Sequence, residues 1–149
     1  MRRGAVLLAL ALSAGCVAHP VGPARSFDSY AAKASTTLES TISAVETVRL
    51  LAETAADGSA MGPYTSVAVS EQEDALGGVR GTFLSIQPPP DDRSMQLRDD
   101  VSALLTAAFD HVGDVRIAAR RGHLDDLDVV ARPLEQDAAA LEDVLDSLP

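Results

Sequence analysis

Three histidines and a single cysteine are the residues of this chain whose types best suit chemistry, and their neighbours limit what each can do. The stretch "DHVGD" sets His111 three residues before Asp114, and "HLDD" sets His123 beside Asp125 and Asp126. A histidine held by a carboxylate can act as an oriented base or as part of a metal site. With 22 acidic residues in the chain, however, such neighbours arise by chance. His19 has no partner spaced near it and reads as a solvated loop residue. Di-iron bundles carry Glu-x-x-His on two inward faces, a spacing this sequence nowhere contains. A haem bundle would need an inward His/Met or His/His pair, and Met61 and Met95 fall at segment ends. The residues therefore point to no catalytic group, no metal ligand set and no cofactor.

Cys16 is different, because what surrounds it has an order. Arg2 and Arg3 are followed by an apolar segment, residues 4–15, and "LLALALSAGC" then closes on small residues and the cysteine. Charged, apolar and small regions in that sequence are those of a secretory signal peptide. The segment is too short to span a bilayer, which takes about 20 apolar residues. With Leu12 and the small residues Ser13, Ala14 and Gly15 before the thiol, "LSAGC" resembles the lipobox of bacterial lipoproteins. That resemblance implies a diacylglyceryl thioether on Cys16, cleavage between Gly15 and Cys16, and a membrane anchor. Two acyl chains hold stably where one is marginal, at about 0.8 kcal/mol per buried methylene. A chain with one cysteine can form no internal disulfide, and using it for the anchor leaves no free thiol in an oxidising compartment.

Loss of residues 1–15 removes Arg2 and Arg3 and no acid, so the net charge moves from −10 to −12. A chain this acidic repels the phosphate backbone, which excludes nucleic acid as a partner. Lys33 is the sole lysine among 12 basic residues. After Cys16, "VAHPVGPAR" (residues 17–25) holds two prolines and a glycine without apolar periodicity, the composition of an extended tether. Fully stretched it reaches at most about 30 Å, so the folded part, residues 26–149, stays near the surface that holds the anchor.

That folded part must position the remaining polar candidates, Thr41, Gln72 and His111, and its pattern is helical throughout. Ala31, Ala34, Leu38, Thr41, Val45, Val48, Ala52 and Ala55 alternate steps of three and four, with Ser26 as N-cap and Asp57–Gly58 as stop. Val69, Gln72, Leu76, Val79, Phe83 and Ile86 form the second seam, opened by Pro63 and ended by "QPPPDD". Gly77, Gly78 and Gly81 within it suggest a close helix approach or a local bend. Leu97, Val101, Leu104, Ala108, His111, Val115 and Ala118 form the third, widened by Leu105, Val112 and Ala119 and closed by "ARRG". The fourth runs through Leu124, Leu127, Ala131, Leu134, Ala138, Leu141, Leu145 and Leu148, with Asp125, Asp126 and Asp128 in its first turn and a kink expected at Pro133.

Four such segments joined by short connections predict an all-α fold, an antiparallel up-down-up-down four-helix bundle. With no tryptophan and 3% aromatic residues, its core has to be leucine, valine and alanine. Counting along the helices places Gln72 and His111 at similar heights, with His111 near Pro133. Proline deprives the Val129 carbonyl of its helical donor, so a buried polar layer is expected in which His111 donates to that carbonyl.

The combination of "SAVETVRL", "GPYTSV", "SEQEDALGGVRGTFLSIQPP" and "RIAARRGHL" is similar to a group of small uncharacterised lipoproteins of actinobacteria, over Tyr30 to Leu124. The resemblance implies a helical, surface-anchored protein and carries over no catalytic or binding residue. The expectation is a lipid-anchored, non-enzymatic interaction, scaffold or accessory module on the extracytoplasmic face, with the membrane and an envelope protein as partners. The alternative is a carrier of a small ligand or metal in the bundle interior.

Overall fold

The computed structural model describes residues 23–149, and among these it is all-helical, with no strand. Four helical segments pack against one another, the last in two pieces. The first, α1 (Phe27–Ala56), starts where Ser26 accepts the Ser29 N–H and stops where Gly58 takes φ +72°. The left-handed conformation there costs glycine nothing. Helix α2 (Gly62–Ser85) follows, with Pro63 in its first turn.

α2 has no basic residue in its own last turn, and the next helix supplies one. From α3 (Asp92–Arg120), Arg98 donates to the carbonyls of Ile86 at 2.8 Å and Leu84 at 2.9 Å. A guanidinium satisfies two orphan carbonyls and complements the negative helix end together. α3 is itself capped by Asp91, whose carboxylate accepts from the Ser94 N–H at 2.9 Å and the Ser94 hydroxyl at 2.8 Å. Gly122 ends it at φ +77°.

The fourth segment divides rather than merely bending: α4 (Leu127–Ala131) and α5 (Pro133–Asp146) flank Arg132. Arg132 keeps helical angles, φ −56° and ψ −39°, so the division interrupts the hydrogen bonding while the apolar register runs through. Leu127, Ala131, Leu134, Ala138 and Leu141 are all buried across it. Asp126 occupies the N-cap position and Asp125 precedes the helix, leaving only Asp128 of the three aspartates in the first turn.

The core lies in two clusters along the bundle. One joins the second half of α1, from Ala44 to Ala55, to Val69 and Leu76 of α2, to Ala108 through Ala119 of α3, and to α4 and the start of α5. The other gathers Tyr30, Ala31, Ala34 and Leu38 with Phe83, Ile86, Leu97, Val101, Leu105 and Leu141. Ala24 belongs to this second cluster, so residues 23–25 are the edge of the fold rather than the last links of a free tether. On α3 the fully enclosed row runs through Leu105 and Val112, and Leu104 and His111 sit beside it half-exposed.

Gly77, Gly78 and Gly81 of α2 do not create the close approach expected of them. A methyl group at Gly77 would lie 3.5 Å from the Phe109 ring, an ordinary contact, whereas at Gly78 and Gly81 it would meet nothing within 4 Å.

Candidate functional site

His111 projects from α3 toward α5, and its Nδ1 lies 2.6 Å from Oδ2 of Asp137. Asp137 falls one residue before Ala138 and between Leu134 and Leu141, on the packed side of α5, which leaves its side chain 10% exposed. A carboxylate that accepts makes Nδ1 the donor in this pair. The imidazole is 36% exposed, so water reaches the histidine more readily than the aspartate.

The expected bond from His111 to the Val129 carbonyl is not made. The Arg132 N–H takes that carbonyl at 3.3 Å, and the nearly buried carboxylate of Asp137 claims the imidazole. Gln72 sits half-buried on α2 between Val69 and Leu76, and no hydrogen bond joins it to His111. Thr41 is fully buried, and its hydroxyl donates to the Thr37 carbonyl of its own helix at 2.8 Å. Thr41 and His111 are thus bonded separately, and no polar layer joins them to Gln72. A histidine–aspartate pair orients a general base when a hydroxyl or thiol stands at the other ring nitrogen. Among the described residues Asp137 is the only hydrogen-bond partner of His111. The pair as it stands ties α3 to α5.

Other polar contacts are also cross-helix ties. Arg116 of α3 pairs with Glu73 of α2, and the Arg80 guanidinium lies 5.5 Å from the centre of the Phe109 ring. At the opposite end Arg93 stacks over Phe27 at 3.6 Å. Tyr30 packs against Phe83 with ring centres 5.8 Å apart, and its buried hydroxyl has no hydrogen-bond partner. Burial pushes the pKa of that hydroxyl up, and the nearby positive charge of Arg98 offsets part of the rise. Among the described residues no group of three or more His, Cys, Asp or Glu side chains is placed to hold a metal ion.

A surface groove of about 550 Å³ lies between α1 and α2. Ala32, Lys33, Thr36, Thr37 and Ser40 form one wall, and Gly78, Val79, Thr82 and Ile86 the other. Three hydroxyls of the α1 wall are turned onto their own helix: Thr36 donates to the Ala32 carbonyl, Thr37 to that of Lys33 and Ser40 to that of Thr36. What they offer the groove is mainly methyl and methylene surface. Periodicity missed this feature, because it arises only where two helices meet. Its one trace in the sequence is the row of small residues Ala32, Thr36 and Ser40 at intervals of four, beside the α1 seam.

Cys16 and the segment before it lie outside the described residues, as do His19 and residues 17–22 of the expected tether. Among the described residues no helix is long and apolar enough to cross a membrane. No protein-family model matches the chain, and neither a curated protein nor a solved structure matches it.

Proposed function

We propose that the protein is a lipid-anchored module of the bacterial cell envelope, held through Cys16 on the extracytoplasmic face and acting without catalysis on an envelope partner. The observation that carries this reading is the order of residues 2–16: two arginines, an apolar run, small residues and the only cysteine of the chain. The bundle we infer is up-down-up-down. Its support is the pairing of Glu73 with Arg116, Gly77 with Phe109 and Ile86 with Arg98, in which α2 numbers rise as α3 numbers fall. A further support is the division of the core into one half built from α1 from Ala44 onward with the start of α2 and the end of α3, and one from α1 up to Leu38 with the end of α2 and the start of α3.

The non-catalytic reading rests on how the polar groups are used. His111 spends a ring nitrogen on a nearly buried aspartate, and Arg98, Arg80, Arg93 and Arg116 engage a helix end, two rings and a glutamate. Each of these contacts fixes one helix against another. Carboxylates on the outer faces keep such a module soluble beside an anionic surface.

The test is metabolic labelling with palmitate in the native host, with fractionation of wild type and Cys16→Ser. Wild type takes up label and sediments with membranes, and the serine variant takes up none and loses the membrane fraction. Label in both, or in neither, overturns the proposal.

A further inference from the structure

We propose that the α1–α2 groove binds the anion of a free medium-chain fatty acid, with its alkyl chain along the groove and its carboxylate on Lys33. The inference goes beyond the envelope reading and does not depend on the anchor, since every lining residue lies between Ala32 and Ile86. Two independent features carry it.

The first is the surface of the groove. Its polar groups on α1 are closed into i to i−4 hydrogen bonds, so an apolar occupant desolvates little, while Val79, Ile86 and the threonine methyls present hydrocarbon. From Ala32 to Ser40 the α1 wall is about 12 Å long at 1.5 Å per residue, the length of a medium alkyl chain. Its volume of about 550 Å³ falls within the range typical of small-ligand sites.

The second is charge. Lys33 is the only lysine of a chain with net charge −10, and it lines this groove. The ion pairs among the described residues join Arg49 to Glu46, Arg116 to Glu73 and His111 to Asp137, and Lys33 enters none of them. An unpaired ammonium at the edge of hydrocarbon, on an otherwise acidic protein, selects an anionic head over a cationic one. Its neighbours Ala31 and Ala34 share a cluster with Phe83 and Ile86, so Lys33 stands at the Ile86 end of the groove, where the head group would lie.

The experiment uses the full chain carrying Cys16→Ser, which holds no acyl group of its own, titrated calorimetrically with octanoate, decanoate, dodecanoate and dodecylammonium. Affinity rises about twofold for each methylene from octanoate to decanoate, since a methylene buried on one side in an open groove is worth about half of the roughly 0.8 kcal/mol of full burial, and then levels off as the groove fills. Dodecylammonium binds at least tenfold more weakly than dodecanoate. Gly78→Leu and Thr36→Leu, which fill the groove from opposite walls, weaken decanoate at least fivefold, as does Lys33→Gln. Gly81→Leu changes it by less than twofold, because Gly81 has equally open space but does not line the groove. Circular dichroism of each variant confirms that the helices remain. The proposal is overturned by binding that ignores chain length, by a groove-filling variant that folds and binds like wild type, by affinity for diacyl phospholipid vesicles alone, or by light scattering that shows two copies associated through this face.

Discussion

Replacing His111 by alanine leaves the Asp137 carboxylate without its donor at a site where the side chain is 10% exposed. Stranding a buried polar group costs about 1 to 3 kcal/mol, and breaking a wholly buried ion pair about 3 to 5 kcal/mol. Water reaches the outer side of this pair, because the imidazole is 36% exposed, so the smaller range applies. The expected loss for His111→Ala is about 2 kcal/mol. For a domain of this size that lowers Tm by roughly 7 °C, at about 2.1 cal/mol/K of unfolding entropy per residue. Asp137→Ala should cost less, about 0.5 to 1 kcal/mol, because the histidine left behind can hydrogen-bond to water. The double variant His111→Ala, Asp137→Ala removes both polar groups together, leaves no carboxylate stranded, and should cost about 1 kcal/mol, less than the two single losses added. Urea unfolding followed by circular dichroism at pH 7 measures all four corners of the cycle. Equal costs for the two single alanine variants would refute the asymmetry argued from burial, and strict additivity would show that the pair is not coupled.

Gly78→Ala and Gly81→Ala should each stabilise the protein by about 0.5 to 1 kcal/mol, since a methyl group at either position meets nothing within 4 Å; a fall in the urea midpoint would mean that the backbone of α2 needs glycine there. Tyr30 should limit stability in alkali. Burial holds its folded pKa above the ordinary value of 10.0, so the unfolded chain loses the phenolic proton first. Its contribution is complete below pH 10 and declines as the pH climbs toward the folded pKa, by at most about 1.4 kcal/mol per pH unit. Tyr30→Phe should abolish that decline while leaving stability at pH 7 unchanged or higher, because the hydroxyl it removes has no hydrogen-bond partner. A decline that persists unchanged in the phenylalanine variant would assign it to another group.

Periodicity read the α1 seam: all eight residues expected on it from Ala31 to Ala55 are buried, and it left out only Tyr30, Thr37 and Ala44, which are buried beside it. Length explains this, since 30 residues repeat the apolar signal often enough to average out local exceptions. α3 was harder to read because Leu104 and Leu105, and likewise His111 and Val112, are adjacent pairs that straddle the seam, and only the neighbouring helices choose which member is enclosed. The partner of His111 had a signal that went unread. Asp137 is a carboxylate between Leu134 and Leu141 on the apolar side of its helix, where it needs a donor from elsewhere. Arg98 could not be assigned to the end of α2 from spacing alone, because that bond forms only when α3 folds back past the triple proline.

Ala24, three residues before α1, has a mechanical consequence through its seat in the cluster of Tyr30, Phe83 and Ile86. Any pull exerted on the chain ahead of Pro23 enters the molecule at that seat and acts first on the half containing the ring pair. The half built on Val45, Val48 and Val112 is loaded only through the helices that run on into it from the first half. One end of the molecule is therefore the shock absorber, and the other is sheltered from whatever tugs at the amino terminus.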